Sequence, residues 1–146
     1  MHASPRQGAR VTDEIAGKPV PRPTEETRDY WEGCRRGELR LQRCSECRRV
    51  QFPPRRFCSS CLCARLESFA ALGRGVIRSY SVVRHPLSPA FAGDVPYLVA
   101  LIQLAEGPTM MAGLRGCTPD TVAVGMAVEV EFEARSETHV PYFHPA

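Results

Sequence analysis

The sequence carries two closely spaced cysteine pairs, Cys44-Ser45-Glu46-Cys47 and, ten residues later, Cys58-Ser59-Ser60-Cys61. Within each pair, two thiolates can reach one ion from a tight turn, and two such turns complete the tetrahedral shell that Zn²⁺ prefers. All four ligand positions are thiols, so the pattern predicts a closed structural zinc site and not a hydrolytic one. A ribbon of this size has almost no core, and we therefore expect the metal to supply much of its stability.

Three further cysteines have no partner at ligand spacing: Cys34, Cys63 and Cys117. We interpret them as small buried apolar side chains. The chain has seven cysteines in 146 residues, and an odd number cannot pair completely. Because disulfides are rare in reducing compartments, metal binding explains the four spaced cysteines better than disulfide bonds do.

The composition is that of a globular protein, with 43% hydrophobic and 24% charged residues and a net charge of +3. No apolar run approaches the roughly 20 residues that cross a bilayer, and the first residues lack the apolar core of a secretory signal. We therefore expect a cytoplasmic protein without a membrane partner. Residues 1–65 carry 14 basic and 8 acidic side chains, whereas residues 66–146 carry 5 and 8. This change of sign predicts a domain boundary near residue 65.

The first part of the chain divides into a leader and a helix that precedes the ribbon. Residues 1–23 are rich in proline and lack hydrophobic periodicity, which predicts a flexible leader. Thr24 is a candidate N-cap followed by acidic residues, and the helical spacing after it predicts an amphipathic helix of about three to four turns that Gly37 ends. The helix and the zinc ribbon together account for residues 24–65.

Residues 66–146 repeat a strand pattern, with apolar stretches separated by Gly, Pro and acidic turns. Thr118-Pro119-Asp120-Thr121-Val122 predicts a single capped helical turn before the penultimate strand. Five or six strands in this length predict a small closed or nearly closed β-barrel, so the fold class is mainly β. A separate strand over residues 38–43 leads into the ribbon. The strands predicted after the ribbon cover residues 66–72, 75–83, 97–104, 109–114, 127–132 and 140–143.

Seven side chains are candidates for contact with a partner or a ligand. The loop over residues 85–95 is long for a hairpin and apolar for a surface loop, which is typical either of a loop folded over the end of a barrel or of a binding-site wall. The aromatic pair on the helix either packs the helix onto the next module or contacts a partner subunit. The candidates are Tyr30, Trp31, His85, Phe91, Tyr97, Tyr142 and Phe143.

The sequence shows no motif of autonomous catalysis. None of its four histidines pairs with a nucleophile in a local elbow, and it has no Gly-x-Ser-x-Gly, His-Glu-x-x-His, phosphate-loop or dinucleotide-binding pattern. We therefore predict no catalytic residues. Eight arginines between residues 35 and 56 leave open a nucleic-acid-binding module, a site for a phosphorylated cofactor such as coenzyme A, or an acidic protein partner. Nucleic acid is disfavoured because the barrel half is net negative and lacks repeated exposed aromatic and basic positions.

Further motifs follow one another in a recognisable order: Tyr30-Trp31-x-Gly33, then Gly37-Glu38-Leu39-x-Leu41 before the cysteines, and Val140-Pro141-Tyr142-Phe143-His144-Pro145 near the end. From about Lys18 to the C terminus, this order resembles the acyl-CoA-associated family long called domain of unknown function thirty-five. The resemblance implies an N-terminal helix and a rubredoxin-like zinc ribbon followed by an OB-fold barrel. It also implies a non-catalytic companion subunit of a thiolase-like enzyme, similar to subunits of archaeal acetyl-CoA acetyltransferase complexes and to the subunit of the bacterial steroid side-chain aldolase.

The sequence and this resemblance are compatible with three functions. In the first, the helix and ribbon dock a thiolase-like partner in a hetero-oligomer, the barrel helps to hold a coenzyme A thioester, and the partner makes or breaks the carbon–carbon bond. The second is a zinc-ribbon and OB-fold module that binds nucleic acid, and the third is a free-standing acyl-CoA enzyme. Salt separates the first two, because phosphate-backbone binding weakens steeply with salt and an apolar subunit interface does not.

Overall fold

The computed structural model describes residues 17–146, so most of the predicted leader lies outside the described residues. The first regular element, α1, covers Arg28–Arg35 and is about two turns long, which is shorter than the sequence pattern predicts. The reason is local. The backbone N–H of Thr24 donates to Thr27 Oγ1 at 2.9 Å and the N–H of Thr27 donates to Thr24 Oγ1 at 3.3 Å, which closes a separate turn ahead of the helix.

Three strands form the sheet of the ribbon, namely β1 (Arg40–Cys44), β2 (Val50–Gln51) and β3 (Leu66–Ala70), in the order β2-β1-β3. β3 runs antiparallel to β1 along its whole length. The sequence pattern over residues 66–72 predicts a strand of the barrel, but this strand belongs to the sheet of the ribbon. Side-chain packing accounts for the pairing, because Phe69 is half-buried and its ring centre lies 4.4 Å from Cζ of Arg43 on the neighbouring strand.

Five strands close into a barrel in the order β4-β5-β6-β8-β7, which confirms the predicted barrel. Neighbouring strands are antiparallel except β6 and β8, which are parallel. The last hairpin is longer than predicted, since Arg135 pairs with Thr138 directly at its turn. The barrel strands are β4 (Arg74–Val83), β5 (Tyr97–Leu104), β6 (Thr109–Leu114), β7 (Ala127–Arg135) and β8 (Thr138–Pro145).

One hydrophobic core joins the helix, the ribbon and the barrel. The helix contributes Tyr30 and Cys34 to it, the start of the ribbon contributes Leu39 and Leu41, and the barrel strands contribute their inward-facing side chains. Phe143 is fully buried in this core, with 0% of its surface exposed. Its prediction as a partner contact is wrong, because the alternation of β8 turns this side chain into the barrel.

The long loop between β4 and β5 contains a 3-10 helix over Pro89–Asp94. Ser88 caps it, since its Oγ accepts a hydrogen bond from the N–H of Ala90 at 3.3 Å. The ring of Phe91 lies 5.9 Å from that of Tyr97, so the loop packs against the start of β5. Within residues 17–146, the helices are too short or too polar to cross a membrane.

Candidate functional site

The first candidate site is a cluster of four thiols in the ribbon. The Sγ atoms of Cys44, Cys47, Cys58 and Cys61 all lie within 4.8 Å of one another. The Cys44 and Cys61 sulfurs are 3.5 Å apart, and the Cys47 and Cys58 sulfurs are 3.6 Å apart. Four sulfurs bound tetrahedrally to Zn²⁺ at about 2.3 Å would lie about 3.8 Å from one another. The cluster therefore fits a structural zinc ion.

The two cysteine turns share one backbone geometry. In each, the N–H of the first cysteine donates to the carbonyl five residues later, and the N–H four residues later donates back to the carbonyl of that cysteine, at distances between 2.9 and 3.1 Å. Cys63 supplies the carbonyl that closes the second turn. Its thiol lies outside the cluster and accepts a hydrogen bond from the N–H of Arg65 at 3.2 Å. Cys63 is thus a structural part of the turn rather than a fifth ligand.

Backbone donors prepare the second turn for a metal. The N–H groups of Cys61 and Ser60 lower the pKa of the Cys58 thiol to about 6, which favours the thiolate that a metal binds. Cys34 is the opposite case, because burial raises the pKa of its thiol to about 11. Cys34 is fully buried as predicted, whereas Cys63 and Cys117 are only half-buried.

Two glutamines hold the second turn against the strands, and sequence reasoning missed them. The buried Gln51 accepts a hydrogen bond from the N–H of Ser59 at 2.8 Å and donates one to Gln42 Oε1 at 3.0 Å. Gln42 Oε1 also accepts a hydrogen bond from the N–H of Arg55 at 2.8 Å. These contacts join residues that are 8 to 13 positions apart and follow no sequence motif, so the sequence alone gives no signal for this role.

The second candidate site is a cavity of about 750 Å³ between the helix and ribbon on one side and the barrel on the other. Its size is in the range of sites for small molecules and for inserted side chains of a partner. We call it the aromatic cleft, because six aromatic side chains line it: Tyr30, Trp31, Phe52, Phe91, Tyr97 and Tyr142.

Five of the seven predicted contact residues therefore line one cavity, although they come from α1, the long loop, β5 and β8. The two exceptions differ in kind. Phe143 belongs to the core, and His85 is exposed at the start of the long loop, outside the residues that line the cleft.

The helix side of the cleft is a stack of aromatic rings. The Tyr30 ring is 4.9 Å from the Trp31 ring, edge to face, and 5.6 Å from the Phe52 ring. Tyr30 is 6% exposed, so it mainly packs the helix onto the ribbon, while Trp31 is half-buried. Tyr30 thus packs the helix onto the ribbon, whereas Trp31 lies at the surface of the cleft.

The barrel side of the cleft is built around Tyr142. The Cζ atom of Arg115 lies 3.9 Å from the centre of the Tyr142 ring, and Nη2 of Arg135 donates a hydrogen bond to the Tyr142 hydroxyl at 3.0 Å. Both arginines also bind Glu133. Burial alone would raise the pKa of Glu133, but the hydrogen bonds from Arg135 and Arg115 outweigh it and hold that pKa below its ordinary value. This network was not foreseen from the sequence.

Charged groups at the rim of the cleft are also paired. Nζ of Lys18 lies 2.7 Å from a carboxylate oxygen of Asp94 and 5.6 Å from the centre of the Phe91 ring. Lys18 thereby fastens the segment that precedes the helix to the 3-10 helix of the long loop. The one thiol that lines the cleft is that of Cys117, and burial raises its pKa, which makes it a poor nucleophile.

Comparison with known proteins agrees with this architecture. Residues 31–67 match the rubredoxin-like zinc ribbon domain of ChsH2, and residues 70–133 match its C-terminal OB-fold domain. A DUF35 domain-containing scaffold protein of Methanothermobacter thermautotrophicus is 34% identical over 110 residues, which cover 75% of this chain and 82% of the relative. The chain belongs to the DUF35 family.

Two further relatives are described as an enzyme subunit and as part of an aldolase. A probable enoyl-CoA hydratase alpha subunit of Thermomonospora curvata is 35% identical over 143 residues, which are 94% of this chain and 44% of the relative. The chain thus spans less than half of that relative. A solved structure described as the Ltp2-ChsH2(DUF35) aldolase superposes with a TM-score of 0.77 and 34% identity, and it covers 86% of this DUF35 chain and 98% of the matched chain.

Proposed function

We propose that this chain is an accessory subunit that docks a thiolase-like enzyme and helps to form its acyl-CoA site. The partner would perform the carbon–carbon bond cleavage or formation alpha to the thioester. The observation that carries the proposal is the aromatic cleft, an apolar cavity lined by six aromatic rings. Large aromatic side chains that stay accessible in a cleft are typical of binding sites for a partner or a ligand.

The chemistry of the cleft supports binding rather than catalysis. The two cations that line it, Lys18 and Arg115, are each paired with a carboxylate, and burial raises the pKa of the Cys117 thiol. Burial likewise raises the pKa of the Tyr30 hydroxyl far above its ordinary value. A nucleophile is activated by an adjacent base, by a lowered pKa or by a metal, and the Cys117 thiol has instead a raised pKa, with burial as its cause.

The relatives support an assembly with an enzyme. Their names describe a scaffold protein, a hydratase alpha subunit and an aldolase complex. For this chain we propose a hetero-oligomer with a thiolase-like protein and, as its most specific form, a role in retro-aldol cleavage of a steroid side-chain acyl-CoA. The thiol cluster would hold structural Zn²⁺ and thereby keep the ribbon side of the cleft in place.

The proposal is tested by mixing the purified chain with a thiolase-like aldolase in 0.5 M NaCl, followed by gel filtration and an assay of acyl-CoA turnover. We expect a stable complex, turnover by the complex and none by the isolated chain. Robust turnover by the isolated chain would favour the free-standing enzyme. Binding to nucleic acid that disappears as salt rises, with no protein complex, would favour the nucleic-acid module.

Two exposed apolar side chains provide a matched pair of variants. Met111 lines the cleft and is 69% exposed, and Val124 lies outside it and is 63% exposed. Met111→Asp should weaken the complex at least about tenfold, because it puts a charge into an apolar contact. Val124→Asp should leave the affinity unchanged. Equal affinities for both variants would show that the partner does not use the cleft.

A further inference from the structure

Tyr142 is held in one orientation at the barrel wall of the cleft. A Cβ atom on Gly113 would lie 2.6 Å from Cε1 of the Tyr142 ring, so the absence of a side chain at Gly113 lets the ring lie directly against β6. Arg115 covers the ring, with its Cζ 3.9 Å from the ring centre. A side chain fixed in this way loses little further entropy when it binds something.

The hydroxyl of Tyr142 has one hydrogen-bonding role filled and one open. A phenol oxygen can accept a hydrogen bond and can donate its own proton. The acceptor role is filled by Nη2 of Arg135 at 3.0 Å. Within residues 17–146, no acceptor takes the proton of this hydroxyl. Donation from a cation polarises the O–H bond, which makes the hydroxyl a stronger donor.

The surrounding charges select a neutral acceptor. Arg115 and Arg135 both bind Glu133, and Nη1 of Arg115 is 4.0 Å from Glu131. The cations near the hydroxyl are therefore already neutralised by carboxylates. An anionic group would find no unpaired cation beside the hydroxyl and would be repelled by the two carboxylates, whereas a neutral carbonyl oxygen would not.

We propose that the Tyr142 hydroxyl donates a hydrogen bond to the carbonyl oxygen of a secondary amide in the aromatic cleft. Such amides occur in the pantetheine arm of coenzyme A and in the peptide backbone of a partner. This inference rests on the proposed function and adds a named donor and a neutral acceptor to it. It also places the charged phosphates of coenzyme A outside the cleft.

The test compares Tyr142→Phe, which keeps the ring and removes the hydroxyl, with Tyr80→Phe, a tyrosine 36% exposed on β4 and outside the cleft. Trp31 is the single tryptophan of the chain and lines the cleft, so its fluorescence reports binding of pantetheine. Binding of the thiolase-like partner is measured separately by calorimetry. Tyr142→Phe should weaken one of these two binding affinities by roughly three- to tenfold, and Tyr80→Phe should weaken neither affinity.

The two binding measurements identify the source of the amide. If Tyr142→Phe loses affinity only for pantetheine, the acceptor is a carbonyl of the ligand. If it loses affinity only for the partner, the acceptor is a carbonyl of the partner's backbone. Equal affinities of wild type and Tyr142→Phe overturn this inference and leave the accessory role standing. If wild type binds neither pantetheine nor the partner, the accessory role and this inference both fail. Displacement of pantetheine by inorganic phosphate would show that the site takes an anion and would overturn the inference of a neutral acceptor.

Infrared spectroscopy gives a readout of the hydrogen bond itself. Pantetheine labelled with ¹³C at one amide carbonyl should show a lower carbonyl stretching frequency in the wild-type complex than in the Tyr142→Phe complex, because the variant cannot donate a hydrogen bond to that carbonyl. Equal frequencies in the two complexes, together with unchanged binding of the partner by Tyr142→Phe, would overturn the inference.

Discussion

Arg48 and Leu62 occupy equivalent positions in the two cysteine turns, and both adopt a left-handed backbone conformation, with φ of 64° and 62°. Each is the residue after the second cysteine of its pair. Non-glycine residues avoid this conformation because Cβ approaches the backbone carbonyl too closely. The two turns therefore have the same kind of backbone strain at the same position.

Leu62→Gly should leave the stability of the zinc-loaded protein unchanged or raise it by up to about 1 kcal/mol. Glycine removes a strain of about 1–2 kcal/mol, and this gain matches or exceeds the roughly 0.5–1 kcal/mol of stability lost because glycine gives the unfolded state more entropy. Leu72→Gly is the matched control, since Leu72 is equally exposed (74% against 76%) and does not have a positive φ. It should lower stability by about 0.5–1 kcal/mol. Urea unfolding of both variants measures the difference, and a larger loss for Leu62→Gly would contradict the argument from strain.

The thiol cluster predicts about one equivalent of Zn²⁺ per chain in freshly purified protein. Cys47→Ser removes one of the four clustered thiols and should lose most of the metal, whereas Cys63→Ser changes a thiol outside the cluster and should retain it. Metal analysis by mass spectrometry distinguishes the two variants. The barrel should keep its strand signal in circular dichroism after Cys47→Ser, because its strands pair with one another. A full equivalent of Zn²⁺ bound to the Cys47→Ser variant would contradict this set of four ligands.

The parts that sequence reasoning predicted are those with a local signature. The Cys-x-x-Cys spacing belongs to a single turn, and the alternation of a strand belongs to the strand itself. Alternation shows that Tyr142 and Phe143 face opposite sides of β8, but which of the two faces the core depends on the register with β6 and β7. Both were therefore predicted as contacts, and only Tyr142 lines the cleft.

The parts that were missed depend on contacts between distant segments. The pairing partner of β3 is not encoded in its five residues, which are compatible with either the ribbon or the barrel. Lys18 meets Asp94, and Arg115 meets Glu133, only after the chain has folded. A charged residue in a loop or strand gives no indication in the sequence of which opposite charge it will contact.

The lowered pKa of Glu133 predicts an acid-sensitive contribution to stability. A carboxyl group whose pKa is lower in the folded than in the unfolded state stabilises the fold fully above the unfolded value, and this contribution is lost as pH falls through the folded value. Unfolding should therefore become easier below about pH 4.5. The Glu133→Gln variant should show a weaker pH dependence in that range than wild type.

Glu25→Gln is the control for this experiment, because Glu25 is exposed and forms no ion pair with any residue from 17 to 146. Acid also protonates the zinc-binding thiols, but that effect is common to all three proteins and cancels in the difference. Urea midpoints measured from pH 7 down to pH 3 give the comparison. Identical pH profiles for Glu133→Gln and wild type would mean that the Arg115–Glu133–Arg135 network does not stabilise the fold.

Two apolar residues of the long loop, Phe91 and Leu87, differ in whether they line the cleft. Phe91 lines the cleft and is half-buried, and Leu87 in the same loop is 95% exposed and does not line it. Phe91→Ala should weaken binding of the thiolase-like partner by about tenfold or more, as expected for a buried aromatic at an interface, while Leu87→Ala should have no effect. Because no residue of the 3-10 helix is fully buried, Phe91→Ala should shift the thermal midpoint of the isolated chain by only a few degrees. Calorimetric titration and thermal unfolding of both variants give the answer. A large loss of stability combined with normal partner binding would show that Phe91 packs the loop onto Tyr97 and is not part of the interface.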